Sequence, residues 1–317
     1  ELIYDEFENI IFKGSPLGHN ILGTAEQVRS FKTEDALRFT RKLYRPDNAI
    51  FFAYGDIDFK KLVKLIRKAL ADDDSGKVAE NAANSVGKLA EEKLPQISQI
   101  TQISGDENSI TTEKSVSSVK SVGPKNYPSV GDGIAGQTIV MQKNTHQAHV
   151  MIGSRGYNAY DDKRTALYLL NNILGGPGMN SRLNVSLRER RGLVYNVESN
   201  LTSYTDTGAF SIYFGTDLED VDTCLRLTYK ELKRMRDVKM TSSQIEAAKK
   251  QLIGQICVAS DNFENNALGM AKTFLHYNKF ENLDTVCKRI ETLTADNLLE
   301  VANEMFAEEY LSTLIYK

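Results

Sequence analysis

The run from Ser181 to Phe214 constrains this chain most, because helical spacing, a glycine stop and a hairpin follow one another there. Ser181, Leu183, Val185 and Leu187 lead through the charged turn Arg188, Glu189, Arg190 and Arg191 to Gly192. Glycine is the residue that most readily takes the left-handed cap ending a helix. Val194 to Leu201 then reads as extended chain, and Asp206-Thr207-Gly208 supplies turn chemistry. Phe210, Ile212 and Phe214 alternate as one buried face of the returning strand. Such a junction can aim a guanidinium from the last helical turn, Arg188, and a phenol from the first strand residues, Tyr195, into the same space. That donor pair suits an oxyanion or a peptide carbonyl. On composition alone a solvated charge run and a half-buried strand tyrosine are the commoner arrangement.

With 317 residues, 41 % hydrophobic and 26 % charged, the chain is long enough for the cores of two ordinary domains and too charged for a membrane protein. No apolar run approaches the roughly eighteen residues a spanning helix requires, and Glu1-Leu2-Ile3-Tyr4-Asp5 lacks the basic start of a signal peptide. The expectation is a soluble protein whose first residue is an artificial or processing boundary, with a cytoplasmic location favoured over a periplasmic one. A net charge of -3, with basic and acidic residues interspersed, argues against nucleic acid and against an anionic membrane as partners. Cys224, Cys257 and Cys287 lack close spacing, which disfavours a disulfide framework or a cysteine zinc site and points to core thiols.

Taken in order, Leu2, Ile3, Phe7, Ile10 and Ile11 recur at helical spacing before the breaker Lys13-Gly14-Ser15-Pro16-Leu17-Gly18. Thr24 with Gln27 opens a short helix, and Thr33 opens another carrying Leu37 and Leu43. Ala49 to Tyr54 reads as a buried strand stopped by Gly55, and a helix follows from Phe59 to about Leu70. Residues 72 to about 136 shift to Ser, Lys, Glu, Gly and Asn and read as a linker with an insertion. Strands are expected at Gln137 to Met141 and His149 to Ile152. Asp161 or Asp162 caps a helix with the stripe Ala166, Leu169, Leu170 and Ile173. Helices carrying Leu218 to Met235, Thr241 to Ile256, Asn262 to Tyr277 and Leu283 to Ile290 follow, and Thr294 caps a last one before the strand Tyr310 to Tyr316. The order Thr33, helix, turn, strand to Tyr54 parallels Thr294, helix, turn, strand to Tyr316, which suggests a duplicated architecture.

Two stretches carry a family likeness. Leu174-Gly175-Gly176 through Ser181-Arg182-Leu183, then Leu187-Arg188-Glu189, Gly192-Leu193-Val194-Tyr195 and Thr207-Gly208, resembles the second domain of the pitrilysin family of zinc metallopeptidases, which includes the mitochondrial processing peptidases. Phe12 to Gly18 through Ile21-Leu22-Gly23, with the strand ending at Gly55, resembles the back half of that family's first domain. The resemblance implies an α+β fold of two homologous metallohydrolase-like domains, each a mainly antiparallel sheet with helices packed on one face, the first truncated and the second complete. The implied boundaries are 1–72 for the back half of the first domain, 73–135 for the linker and 136–317 for the complete substrate-binding domain.

By the same resemblance, Arg188 and Tyr195 are substrate and transition-state contacts, and Gly192, Leu193 and Asn196 belong to the substrate-binding surface. An H-x-x-E-H pair of histidine ligands with its glutamate base is absent from the sequence, so no cofactor is expected in this chain, although zinc is expected in the intact protein. The implied function is the peptide-binding portion of a zinc-dependent metallopeptidase, inactive alone. The alternative is a non-catalytic family member acting as a binding or assembly subunit beside a zinc-bearing partner. Implied partners are a peptide substrate and either a second copy or such a zinc-bearing relative.

Other constellations carry less. His146 and His149 are three residues apart where a turn runs into a strand, so they face opposite sides. Gly175-Gly176-Pro177-Gly178 has no following Lys-Ser or Lys-Thr and joins two helices, unlike a phosphate loop. Glu189 and Glu198 lack the apolar setting of a glycosidase acid.

Overall fold

The computed structural model describes residues 2–71, 136–143 and 145–317. The linker expected over 73–135 lies outside the described residues. Contacts divide the chain into two compact units, one of residues 1–25 with 122–317 and one of residues 26–121. The opening helix and the residues up to 25 thus belong to the same unit as residues 122–317.

In the unit of residues 26–121, the described part is helical. It holds most of α2 (Ala25–Ser30), with α3 (Thr33–Leu43) and α4 (Phe59–Ala71). The expected strand over Ala49 to Tyr54 is not formed, and Phe51 is 68 % exposed. A strand is stable only when neighbours take up its ladder of N–H and C=O groups. Among the described residues, the strands of the sheet include none from this segment.

The larger unit is built on a five-stranded sheet. Its strands are β1 (Thr138–Met141), β2 (Ala148–Gly156), β3 (Val194–Ser203), β4 (Gly208–Thr216) and β5 (Ser312–Tyr316), in the order β1-β5-β2-β4-β3. Only β1 with β5 runs parallel, and the other three pairings are antiparallel. Val150 and Ile152 of β2 lie opposite Phe214 and Ile212 of β4, and all four are fully buried on one face. Against that face lie α5 (Arg164–Gly175), α6 (Val221–Asp237), α7 (Ser242–Ser260), α9 (Leu283–Glu291) and α10 (Ala295–Met305), with α8 (Phe263–Tyr277) between α7 and α9 in sequence.

Local signals explain these boundaries. Asp161 Oδ1 accepts the Lys163 N–H at 2.8 Å just before α5 begins, so the expected aspartate cap sits one turn outside the helix. Leu169 and Leu170 are buried as expected, and Leu167 and Leu174 join them because α5 is enclosed by the sheet and its sister helices. Each such side chain contributes roughly 1.5–3 kcal/mol of burial. Thr241 with Gln244, and Thr294 with Asn297, form reciprocal capping boxes at α7 and α10. Leu218 is 52 % exposed in a short turn ahead of α6, so the long helix starts at Val221.

The expectation of helices on one face needs correction. The opening helix α1 (Leu2–Ile11) lies on the other side of the sheet, where Ile3, Phe7, Ile10, Ile11 and Phe12 pack on Met151, Ala209, Leu314 and Tyr316. Polar contacts fix it there. Tyr4 Oη donates to Glu198 Oε1 at 2.7 Å, and Arg155 Nε donates to the Ile11 carbonyl at 2.7 Å beneath the Phe12 ring. A sheet whose two faces both carry apolar residues must be covered twice.

Candidate functional site

Arg188, Gly192, Leu193, Tyr195 and Asn196 occupy one continuous turn between a helical segment and the edge strand β3. Residues Asn184–Glu189 wind as a π turn, the wider helical form that recurs at functional positions. The Arg190 N–H accordingly reaches back five residues to the Val185 carbonyl at 3.1 Å. Leu183 and Leu187, fully buried, anchor the segment. Arg188 then projects from its exposed side.

Gly192 ends the segment as the sequence implied. Its φ of 64° lies in the left-handed region, its N–H donates to the Arg188 carbonyl at 2.8 Å, and the Leu193 N–H donates to the Leu187 carbonyl at 3.0 Å. Two further bonds hold the turn. Arg191 Nη1 donates to the Ser186 carbonyl at 2.7 Å, and Thr216 Oγ1 donates to the Leu193 carbonyl at 2.6 Å. Neither Arg191 nor Thr216 stood out in the sequence, since nothing local marks a side chain that braces a turn from a distance.

Tyr195 sits at a bulge. Val194 pairs with Thr216 and Asn196 with Gly215, so two consecutive partners on β4 face three residues on β3 and Tyr195 is the extra one. A bulge bends its strand and re-aims the inserted side chain. Tyr195 is 68 % exposed and Asn196 is exposed beside it. Among the described residues, neither the Arg188 guanidinium nor the Tyr195 phenol has a side-chain hydrogen bond or ion pair. The turn thus carries an exposed cation and, seven residues on, an exposed phenol at the start of an edge strand.

The other constellations resolve differently. His149 Nδ1 is 2.8 Å from Tyr213 Oη, stacked beside that ring on β4, so it is engaged within the sheet. Glu198 accepts from Tyr4, and Gly178 is followed by a mutual amide contact in which Asn180 Nδ2 donates to Gln251 Oε1 at 2.8 Å. The three cysteines are not all core thiols: Cys224 is buried, but Cys257 is exposed and Cys287 half-buried.

The sequence profile of the family described as "Peptidase M16 inactive domain" matches residues 30–252. The chain belongs to that family. An uncharacterized zinc protease of Streptomyces coelicolor is 27 % identical over 305 residues, covering 96 % of this chain and 58 % of that protein. Two solved structures share the fold. A protease from Helicobacter pylori superposes with a TM-score of 0.74 at 18 % identity, covering all of this chain and 66 % of that one. A peptidase M16 inactive domain from Pseudomonas fluorescens gives 0.70 at 19 %, covering 99 % and 65 %. The chain spans about three-fifths of the length of the curated relative.

The relatives' name, zinc protease, raises the question of which side chains here could hold zinc. Among the described residues no three His, Cys, Asp or Glu side chains cluster as a metal site, and the sequence holds no H-x-x-E-H. These residues do not fit the ion. Among them, too, no helix is long and apolar enough to cross a membrane.

Proposed function

We propose that this chain supplies the peptide-binding side of a zinc-dependent metallopeptidase, and that any zinc ligands and general base of the whole protein lie outside the described residues. In this reading residues 1–72 are the back half of one peptidase-like domain, 73–135 a linker and 136–317 a complete second domain. The chain by itself is then inactive. One observation carries the proposal: Arg188 and Tyr195, the two positions matching the family motif, are both exposed around the Gly192 turn and lack side-chain partners among the described residues.

An extended peptide can add to the free edge of β3, where main-chain hydrogen bonds fix its direction. Gly192 and Leu193 give the turn its close backbone approach, and Asn196 offers an amide beside the peptide. The guanidinium of Arg188 and the phenol of Tyr195 then donate to a substrate carbonyl, and more strongly to the oxyanion as charge develops there. The same surface would serve a non-catalytic subunit beside a zinc-bearing partner, and the presence of H-x-x-E-H in the parent protein separates the two readings.

The test uses the full-length protein. Arg188→Ala and Tyr195→Phe are each expected to lower peptide turnover about 10²-fold, the usual effect of removing one oxyanion donor, with metal content unchanged. Turnover at the unaltered rate in both variants would reject the assignment.

A further inference from the structure

The outer edge of β3 is closed along most of its length. In an antiparallel pair, residues that exchange main-chain hydrogen bonds with the partner strand alternate with residues whose N–H and C=O point away from it. The phase is set at the hairpin, where the Tyr204 N–H donates to the Thr207 carbonyl at 2.8 Å. From Ser203 back to Val197 the register with β4 is unbroken, so Ser203, Leu201, Ser199 and Val197 turn their main-chain groups outward. Ser199 is covered by α5. Its carbonyl accepts Asn171 Nδ2 at 3.0 Å, and a Cβ on Gly175 would lie 2.8 Å from its nitrogen. The far end is covered by the chain that follows β2. Ser203 Oγ donates to the Tyr157 carbonyl at 3.1 Å, and the Ala159 N–H donates to the Tyr204 carbonyl at 2.8 Å. Leu201 is hemmed in between these two covers. Val197 differs: among the described residues no loop and no side chain bonds to its main chain. It stands two residues past Tyr195, at the end of the strand that carries the Gly192 turn.

We propose that the end of α5 is a strand stop, with Asn171 sealing the Ser199 carbonyl, so that an extended peptide adds to β3 only at Val197 and leaves the sheet before Ser199. This rests on the peptide-binding reading above and adds to it the length of main chain that is held. A peptide residue lying antiparallel to Val197 gives its carbonyl to the Val197 N–H and its N–H to the Val197 carbonyl. The next outward position is Ser199, whose carbonyl is already taken. The ladder therefore ends after one residue pair.

An open edge recruits strands without discrimination, and natural sheets cover such edges. Here the cover is left off beside the exposed Tyr195 and Asn196. One residue pair of ladder fixes the direction of a peptide but supplies little affinity, since each main-chain hydrogen bond contributes modestly in net terms. Selection then falls to the side chains at Arg188 and Tyr195. The ligand this edge takes is a short extended stretch of an unfolded chain, not a full-length strand.

The experiment titrates the full chain with acetylated, amidated peptides of Val, Thr and Lys, about four to ten residues long, and follows amide exchange by nuclear magnetic resonance. Affinity is expected to level off at about four residues. Saturation with the longest peptide should slow exchange about tenfold at Val197 and leave Leu201 unchanged. Val197→Pro removes an outward N–H that β4 does not use and should weaken binding about tenfold, whereas Leu201→Pro, the same change four residues on, should not. Should Val197→Pro fail to give a cooperative melt, the exchange pattern of the unaltered chain decides alone. Affinity that keeps rising with peptide length, with exchange slowed at Leu201, would overturn the stop and leave peptide binding at β3 standing. Saturation that leaves the Val197 amide unchanged, or no binding by any of the peptides, would overturn edge binding itself and the stop with it.

Discussion

Asn171 of α5 and Ser199 of β3 grip each other from both ends inside the core. Asn171 Nδ2 donates to the Ser199 carbonyl at 3.0 Å, and Ser199 Oγ lies 2.7 Å from Asn171 Oδ1 and 3.0 Å from the Asn171 carbonyl. The two residues are 8 % and 5 % exposed, so water cannot replace a lost partner cheaply. Four residues upstream on the same strand stands Tyr195, which makes this pair the internal anchor of the edge strand. Gly175 completes the fit, since a Cβ there would come within 2.8 Å of the Ser199 amide nitrogen.

Asn171→Ala is therefore expected to cost roughly 1–3 kcal/mol, because the Ser199 carbonyl loses its buried donor. Ser199→Ala should cost a similar amount, and the double variant less than the sum, since both remove the same bonds. Thermal unfolding followed by circular dichroism measures this. Strict additivity of the two single changes would show that the pair is not a coupled unit.

A second polar cluster sets an acid limit on stability. Glu304 of α10 accepts from the Tyr157 hydroxyl and from Lys163, which also reaches Glu300 at 2.8 Å. Desolvation alone would raise the Glu304 carboxyl, but the hydrogen bonds from Lys163 and Tyr157 outweigh it and hold the group below its ordinary value. A carboxyl depressed in the folded state stabilises above its unfolded pKa, about 4.3, and that contribution fades as pH falls through the lower folded value. Glu304→Gln should thus lower the melting temperature at pH 7 and flatten its fall between pH 5 and 3. The side chain is 38 % exposed, so solvent screening limits the effect to about 1 kcal/mol or less. Parallel melting curves for the two proteins across that window would contradict it.

The sheet face and its helices were legible because their signals are local. Alternation at Phe210, Ile212 and Phe214, the Thr241 box and the Thr294 cap each operate within a few residues of chain. The Gly192 stop was readable for the same reason, and through it the position of Arg188. Three things were not legible, and each depends on distant neighbours. The α1 stripe shows that Phe7 is buried but not that its partner is the far face of the sheet at Met151 and Leu314. Ala49 to Tyr54 has strand composition, yet composition cannot supply the strands that would pair with it. The bulge that singles out Tyr195 arises from the register between β3 and β4, which neither strand encodes alone.

The turn that carries the candidate site can be tested through Gly192 itself. Its φ of 64° is strained for any residue with a Cβ, while the space around it is open, so backbone conformation and not crowding decides what it tolerates. Asn enters the left-handed region more readily than other side chains, and β-branched residues least of all. Stability should therefore fall in the order Gly, Asn, Ala, Val, with Gly192→Ala costing about 1 kcal/mol. Because the Gly192 N–H caps the Arg188 carbonyl and leads directly into Tyr195, the loss should extend to function. In the full-length protein Gly192→Val should lower peptide turnover while Gly192→Asn stays close to the unaltered protein, and amide exchange over residues 188–196 should accelerate in the same order. A valine variant as stable and as slow to exchange as the parent would mean that the left-handed cap does not hold the two side chains in place.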